Sequence, residues 1–379
     1  MLFFLFLGVI LIVSTCVGIW VGLRSAQAFF PRRWQRVVWM IAVLLFAFSF
    51  VIGFFVPYDP WGRILRLVGA GWVNTLPYWF IALILFEGAA FIDRRRPFFP
   101  EWTRRNPLLT KKIACISCVL VVILILFRGY WNFSHPQTTS ATVSIAKKLP
   151  GRNSLRVAIA SDLHLGELIN KADLARYVAQ INAVKADIVL LPGDLIDNRV
   201  NVLWEQKMDE ELSRLKAPLG VYAVLGNHDS FGGASTAIAE FFEKSGIHVL
   251  RDEVKLVDGS FYVVGRRDKQ EGRQRLPLAN ILQGIDFSKP VIVVDHQPAN
   301  SHLREAAEHG VDLQISGHTH GGQVWPVTWL VPFLYRVCYG AGKEGNMTVY
   351  VTSGLGLWGF PVRIGSVSEV VDMRIEFGK

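Results

Sequence analysis

Cysteine is scarce in this chain, with four in 379 residues. Cys16, Cys115 and Cys118 lie in apolar runs, and Cys338 stands alone in the second half, so no disulfide framework can be built there. Cys115 and Cys118 have CxxC spacing, but their apolar setting marks them as small packing residues. Charge is also sparse, at 19% of residues, and it is unevenly placed. Residues 1–112 hold 13 Lys/Arg and 4 Asp/Glu, and the remainder holds 27 of each. The net charge of +9 therefore belongs to the first third alone. A nucleic-acid binder needs a basic patch on its folded domain, so the neutral second part argues against a nucleic-acid partner. A basic n-region and a small-residue cleavage site are both missing from the N-terminus. The first apolar run therefore reads as a membrane helix rather than a signal peptide.

Apolar residues are plentiful by contrast, at 51% with a mean hydropathy of +0.32. The excess falls in four runs, Leu2–Leu23, Val37–Val56, Gly71–Ile92 and Ile113–Phe127. About 20 such residues cross a bilayer, so residues 1–128 are expected to form a four-helix transmembrane region. The loop after the first run carries Arg24, Arg32, Arg33 and Arg36. The loop after the second carries only Arg63 and Arg66, with Asp59. The loop after the third is densely basic, from Arg94 to Lys112. Lys and Arg collect on the cytoplasmic side, which predicts that both chain ends and the globular part lie outside. Glu87 lies near one end of the third run, where it can reach headgroups or a neighbouring helix. Trp72, Tyr78 and Trp79 read as interfacial anchors. Residues 129–153, polar and carrying Pro136, Thr138, Thr139 and Ser140, read as a linker.

From Leu155 the pattern changes. Leu155–Ala160, Ile188–Leu191, Val221–Leu225, Val291–Val294 and Leu313–Ile315 are short β-branched runs that read as buried strands. Lys171–Val184, Val202–Leu215, Ala234–Lys244 and His302–Glu308 read as helices between them. Residues 154–379 therefore form an α/β domain with layers on both faces of a sheet core. In such folds ligands collect beyond the C-terminal ends of the strands.

The polar motifs fall at those ends. They are Asp162-Leu163-His164, Gly193-Asp194, Gly226-Asn227-His228-Asp229, Asp295-His296, and Gly317-His318-Thr319-His320-Gly321-Gly322. Five of the nine histidines lie in these loops. Carboxylate, amide and imidazole donors together suit borderline divalent metals such as Mn, Fe, Zn, Co or Ni. If D-x-H and H-x-H are extended, each presents two donors to one side. One Asp can bridge two ions, and two ions about 3.5–4 Å apart can hold a hydroxide and clamp phosphate oxygens. Gly354 to Gly359 match G-x-G-x-x-G, but Pro361 and β-branched residues follow, so the helix that a dinucleotide site needs is absent.

The order D-x-H, G-D, G-N-H-D, H, G-H-x-H resembles that of the calcineurin-like metallophosphoesterase superfamily. SDLHLG, LPGDLID, LGNHD and SGHTHGGQ are most similar to its membrane-associated YkuE-like branch. The resemblance implies a four-layer α/β/β/α sandwich, here preceded by four transmembrane helices. It implies that Asp162, His164 and His320 hold one metal ion, that Asp194 bridges, and that Asn227, His296 and His318 complete a second site. It implies that His228 protonates the leaving oxygen and that Asp229 orients it. The activity implied is hydrolysis of a phosphodiester or phosphomonoester by a metal-bridging hydroxide. Asp295 departs from the usual pattern, and it either adds charge behind the ligands or points away.

His135, His248, His302 and His309 lack a metal-like context and are assigned surface or capping roles. Asp197 either orients a ligand loop or caps its turn. Trp325, Trp329, Phe333, Tyr335, Trp358 and Phe360 either wall a site for a lipid or nucleotide-linked lipid phosphate, or serve as core or membrane contacts. A transporter or sensor with a regulatory phosphoesterase-like domain is the alternative class. The few polar residues inside the membrane runs count against a transport path.

Overall fold

In the computed structural model, residues 2–53, 55–56, 60–197, 199–271 and 275–378 are described. The chain divides into two units, residues 1–128 and 129–379.

The first unit is helical. Its helices Leu2–Phe29, Arg33–Gly53, Pro60–Arg95 and Pro107–Ser134 (the last reaching into the second unit) are long and apolar enough to cross a membrane. The third begins at Pro60, well before the expected start at Gly71. Arg63 and Arg66 therefore sit on a helix and not in a loop; Asp59 lies outside the described residues. Proline suits a helix start because its missing N–H is not needed there. Glu87 meets Arg24 of the first helix at 2.5 Å, the neighbouring-helix role. Asp93 accepts the N–H groups of Phe98 and Phe99 and pairs with Arg104, which fixes the turn after the third helix. Trp72 and Tyr78, expected as interfacial anchors, are buried within the helical unit. Trp72 packs with Val17, Ala47 and Leu76, and its indole N–H donates to the Ser14 hydroxyl at 2.7 Å. Small residues on the facing helices leave room for the ring, and the hydroxyl satisfies its one donor.

The second unit is a four-layer sandwich. Its strands are β1 (Gln137–Ile145), β2 (Ser154–Ile159), β3 (Ile188–Pro192), β4 (Val221–Val224), β5 (His248–Val249) and β6 (Glu253–Val257). They continue as β7 (Phe261–Gly265), β8 (Val291–Val294), β9 (Leu313–Ser316), β10 (Gly340–Glu344), β11 (Met347–Val351) and β12 (Glu369–Phe377). One sheet has the order β1-β12-β2-β3-β4-β5 and the other β10-β11-β9-β8-β7-β6. The pleat sends alternate side chains to opposite faces. Val157 and Ile159 join Phe261, Val263, Ile292 and Ile315 in a core between the sheets. Ala158 and Ala160 face outward onto the helices Lys171–Ala183 and Ser235–Lys244. Val291 and Val293 face the outer helix Asn300–Glu308 in the same way. The strands expected from the sequence, β2, β3, β4, β8 and β9, form the middle of the two sheets, buried on both faces.

Two expectations are corrected. Residues 129–153 are not a linker, since helix continues to Ser134 and β1 follows at Gln137. β1 runs parallel to β12 from Gln137↔Glu369 to Ile145↔Phe377, and Val143 and Ile145 point into the core. Its Thr and Ser residues read as linker because an edge strand keeps one polar face. The expected helix Val202–Leu215 is two short helices, Val200–Glu205 and Asp209–Leu212. The chain turns between them at Lys207, whose φ is +53°.

Candidate metal centre

All five predicted motifs meet in one place, at the C-terminal ends of β2, β3, β4, β8 and β9. They do not meet as extended loops. Asp162, His164, Asp194, His318 and His320 have φ of +54°, +46°, +51°, +72° and +51°. A positive φ is costly for residues with a Cβ and is tolerated where surrounding structure imposes it. Main-chain bonds between loops do so here: Asp162 N–H donates to Gly193 O and His164 N–H to Asp194 O. The glycines serve close packing. A Cβ on Gly226 would stand 2.1 Å from Asp194 Oδ1, and one on Gly317 2.0 Å from Ser161 Oγ.

The donor atoms form three overlapping groups: Asp162, His164 and His320; His164, Asp194 and His228; and Asp194, His296 and His318. His164 Nε2 and His320 Nε2 are 3.3 Å apart, and His320 Nε2 is 3.4 Å from Asp162 Oδ1. On the other side, His296 Nε2 lies 3.0 Å from Asn227 Oδ1, 3.2 Å from His318 Nδ1 and 3.2 Å from Asp194 Oδ2. Asp194 Oδ2 is also 3.8 Å from His164 Nε2, so this carboxylate stands between the two groups. His296 Nδ1 donates to the Pro192 carbonyl at 2.8 Å, which turns Nε2 toward the other donors. Pairs of imidazole nitrogens at such distances leave room for a shared proton or a cation, and the carboxylates turned on the same points favour the cation. This buried set fits divalent metals.

The charge states follow from burial and mutual contact. Burial first, then nearby positive groups, hold His164 and His320 well below the ordinary histidine range. Burial and His296 bring His318 down to about 3. These three rings are neutral and offer lone pairs. Burial also opposes charge on His296 and Asp194, but the two partners overcome it. Asp194 is held below the usual carboxylate range, and His296 is pushed up to about 10. A bound cation must replace that proton on His296.

The comparisons with known proteins identify the family. The model of the calcineurin-like phosphoesterase family matches residues 155–322. A metallophosphoesterase from Aquifex aeolicus is 31% identical over 237 residues, covering 61% of this chain and 88% of that protein. The chain belongs to the calcineurin-like phosphoesterase family. A Danio rerio transmembrane protein with metallophosphoesterase domain is 29% identical over 376 residues, 94% of this chain and 83% of that one. Bacillus subtilis YkuE, also described as a metallophosphoesterase, is 28% identical over 258 residues, 64% of this chain and 87% of that one. The chain is thus a metal-dependent phosphoesterase associated with a membrane.

Within the phosphoesterase unit, Asp229 does not take the place that the resemblance implies. Its carboxylate is buried and accepts the N–H groups of Gly226 (2.7 Å), Ile196 (2.9 Å) and Leu195 (3.1 Å). It pins the Asn227-His228 turn to the Asp194 loop. The acid beside His228 Nδ1 is Asp197, with Oδ1 3.7 Å and the main-chain carbonyl 3.4 Å from that atom. Asp197 Oδ1 is also 3.8 Å from His164 Nδ1. Asp295 points away from the ligands. Arg275 grips both of its oxygens, and His302 Nδ1 lies 3.3 Å off. His302 is therefore a buried partner and not a surface residue.

Arg363 was not singled out from the sequence. It is fully buried, and its guanidinium donates to the carbonyls of Gly354 and Gly356 and lies 3.3 Å from His320 Nδ1. A lone Arg inside the apolar run FPVRIGS is the signal that could have found it. The Gly354–Gly359 loop has no helix behind it, as expected, and packs on the first ligand loop: Leu355 and Gly356 donate to Ser161 O and Asp162 O. His135, His248 and His309 lie away from the ligands. His135 stacks on Trp131, His248 on Tyr222, and His309 donates to Glu305 O. The aromatic loop is not core: Trp329 is 68% and Phe333 86% exposed.

Proposed function

We propose that the protein is a membrane-anchored dinuclear phosphoesterase. Asp162, His164 and His320 would hold one ion and Asn227, His296 and His318 the other, with Asp194 shared between them. The observation that carries this reading is Asp194 Oδ2 standing between His164 and His296. Two divalent ions, of Mn, Fe, Zn, Co or Ni, would supply a nucleophile active at neutral pH and positive charge on the phosphoryl oxygens.

The chain's own residues do the rest. Asp194 Oδ1 accepts the main-chain N–H of His228 at 2.8 Å, which fixes that residue beside the ligands. The His228 ring packs edge-on to His164 with centroids 4.7 Å apart. Its side chain stays partly exposed. We assign it the proton donated to the leaving oxygen, with Asp197 adjacent to its Nδ1. Asp229 positions the turn. A membrane-attached site has lipid headgroups within reach, and a lipid or nucleotide-linked lipid phosphate is the substrate class we favour. The Arg-rich segments Arg24–Arg36 and Arg94–Lys112 support an extracytoplasmic phosphoesterase unit. A C-terminal reporter active only in the cytoplasm would reverse that orientation.

The test is hydrolysis of aryl phosphomonoesters and diesters by the full chain in detergent with added Mn. A fragment starting near residue 150 would lose β1 and bare the edge of β12, so the full chain is used. Asp194→Asn is expected to abolish turnover. His228→Ala is expected to lower it about 10²–10⁴-fold, the usual worth of a general acid, with metal content retained. Unchanged rates in both variants would refute the mechanism.

A further inference from the structure

The stretch from Gly321 to Tyr335 contains no charged residue. Its centre is the helix Val327–Leu334, of sequence VTWLVPFL, in which Val331 alone is buried. The larger side chains face out. Phe333 is 86% exposed, Trp329 and Leu334 68%, Leu330 58% and Val327 46%. At 100° per residue these five fall on one side of the helix, opposite Thr328 and Val331. A contiguous exposed apolar face of this kind marks an interaction surface.

The face borders the metal centre. The helix follows directly on the His318–Gly322 ligand loop, and the Tyr335 hydroxyl at its other end lies 3.1 Å from His318 Nε2. Two more exposed rings stand beside the reacting groups. Phe231 and Trp358 have ring centroids 4.8 and 6.2 Å from that of His228. The partly exposed His228 ring is therefore flanked by apolar rings.

We propose that the Val327–Leu334 helix docks into the interfacial layer of the bilayer, so that the metal centre takes the phosphate ester of a membrane-embedded amphiphile. Phe231 and Trp358 receive the apolar part of that substrate. Three observations commit the face to lipid. Four candidate membrane spans in the same chain keep a bilayer always at high effective concentration. The face is uncharged, as insertion requires. Trp325 and Trp329, packed edge to face at 5.3 Å, are the residue type that settles at the headgroup level. The substrate half rests on the phosphoesterase reading above, and the docking half does not.

The experiment uses the full chain with Cys16, Cys115, Cys118 and Cys338 replaced by Ser, at one copy per phosphatidylcholine nanodisc. A single cysteine in place of Phe333, or of the exposed Lys255 on the edge strand β6, carries a polarity-sensitive fluorophore. Headgroup-level nitroxide lipid is expected to quench the label at 333 several-fold more than that at 255. Equal, weak quenching would overturn the docking surface. So would shielding of the 333 label only when copies are crowded, which would mean that a second chain covers the face. In a parallel assay, Leu330→Ser/Phe333→Ser is expected to lower the ratio of phosphatidic acid to nitrophenyl phosphate hydrolysis about tenfold, the scale of withholding a large apolar side chain from lipid. A headgroup-labelled phosphatidyl diester against bis-nitrophenyl phosphate gives the same ratio for diesters. Unchanged ratios would overturn the substrate assignment. Lipid quenching with no hydrolysis of any ester would overturn the phosphoesterase reading and leave the docking surface standing.

Discussion

The Asp229 carboxylate turns away from the His228 ring and closes three main-chain hydrogen bonds, to Gly226, Ile196 and Leu195. Two neighbours in one motif thus do different work, one beside the reacting groups and one beneath them. Asp229→Asn places an amide where three N–H groups converge, and its NH2 group cannot accept. The variant is expected to lose about 1–3 kcal/mol of stability, the cost of stranding a buried donor, together with activity. Asp197→Asn is expected to lower kcat with little change in stability, since its side chain is 38% exposed. Chemical denaturation and steady-state rates on both variants separate the roles. Equal loss of stability in the two would refute the distinction.

Arg363 holds two carbonyls of the Gly354–Gly359 loop and stands against His320. Groups that support metal ligands typically contribute 10–100-fold to metal affinity. Arg363→Met is expected to weaken Mn binding by about that factor, read from activity against Mn concentration. Arg363→Lys is expected to rescue little, because an ammonium lacks the planar fork that reaches several acceptors at once.

Arg275 adds a pH-dependent contribution to stability through Asp295. Burial alone would push the Asp295 carboxyl up, but Arg275, with His302, holds it below the usual carboxylate range. A lowered folded-state pKa gives stability that is fully present above the unfolded value of about 3.9. It is lost as pH falls further, through the folded value. In Arg275→Ala the buried carboxyl keeps His302 and the more distant Arg266 but loses its two-point partner, and the folded pKa rises. The sign then reverses, with stability falling as pH climbs from about 4 toward neutral. Stranding the charge costs about 3–5 kcal/mol near neutral pH. Denaturant midpoints of wild type and variant from pH 4 to 8 test this, and parallel curves would contradict it.

Much of the site was legible because its chemistry is local. Each motif directly follows a run of β-branched residues, and a strand exit confines a ligand to one end of a sheet. Donors of fitting type in five such loops could be named without coordinates, and the resemblance to metallophosphoesterases singled out seven of them. The central strands were equally legible, since β2, β3, β4, β8 and β9 are buried on both faces and nearly continuous in apolar residues. The four apolar helices followed from length and composition alone.

Tertiary structure decided what depends on a distant partner. β1 is a strand because β12, more than two hundred residues later, offers it a full register of hydrogen bonds; its own polar face gives no such sign. Positive φ at five of the expected donors, held at Asp162 and His164 by bonds between loops, leaves no mark in the motifs. The partner of Asp229 is main chain, which sequence does not display. Arg363 approaches His320 from 43 positions away. Composition could place donors at strand ends, but only packing could determine which carboxylate stands between the two donor groups, which one supports a turn, and which apolar helix face is left exposed.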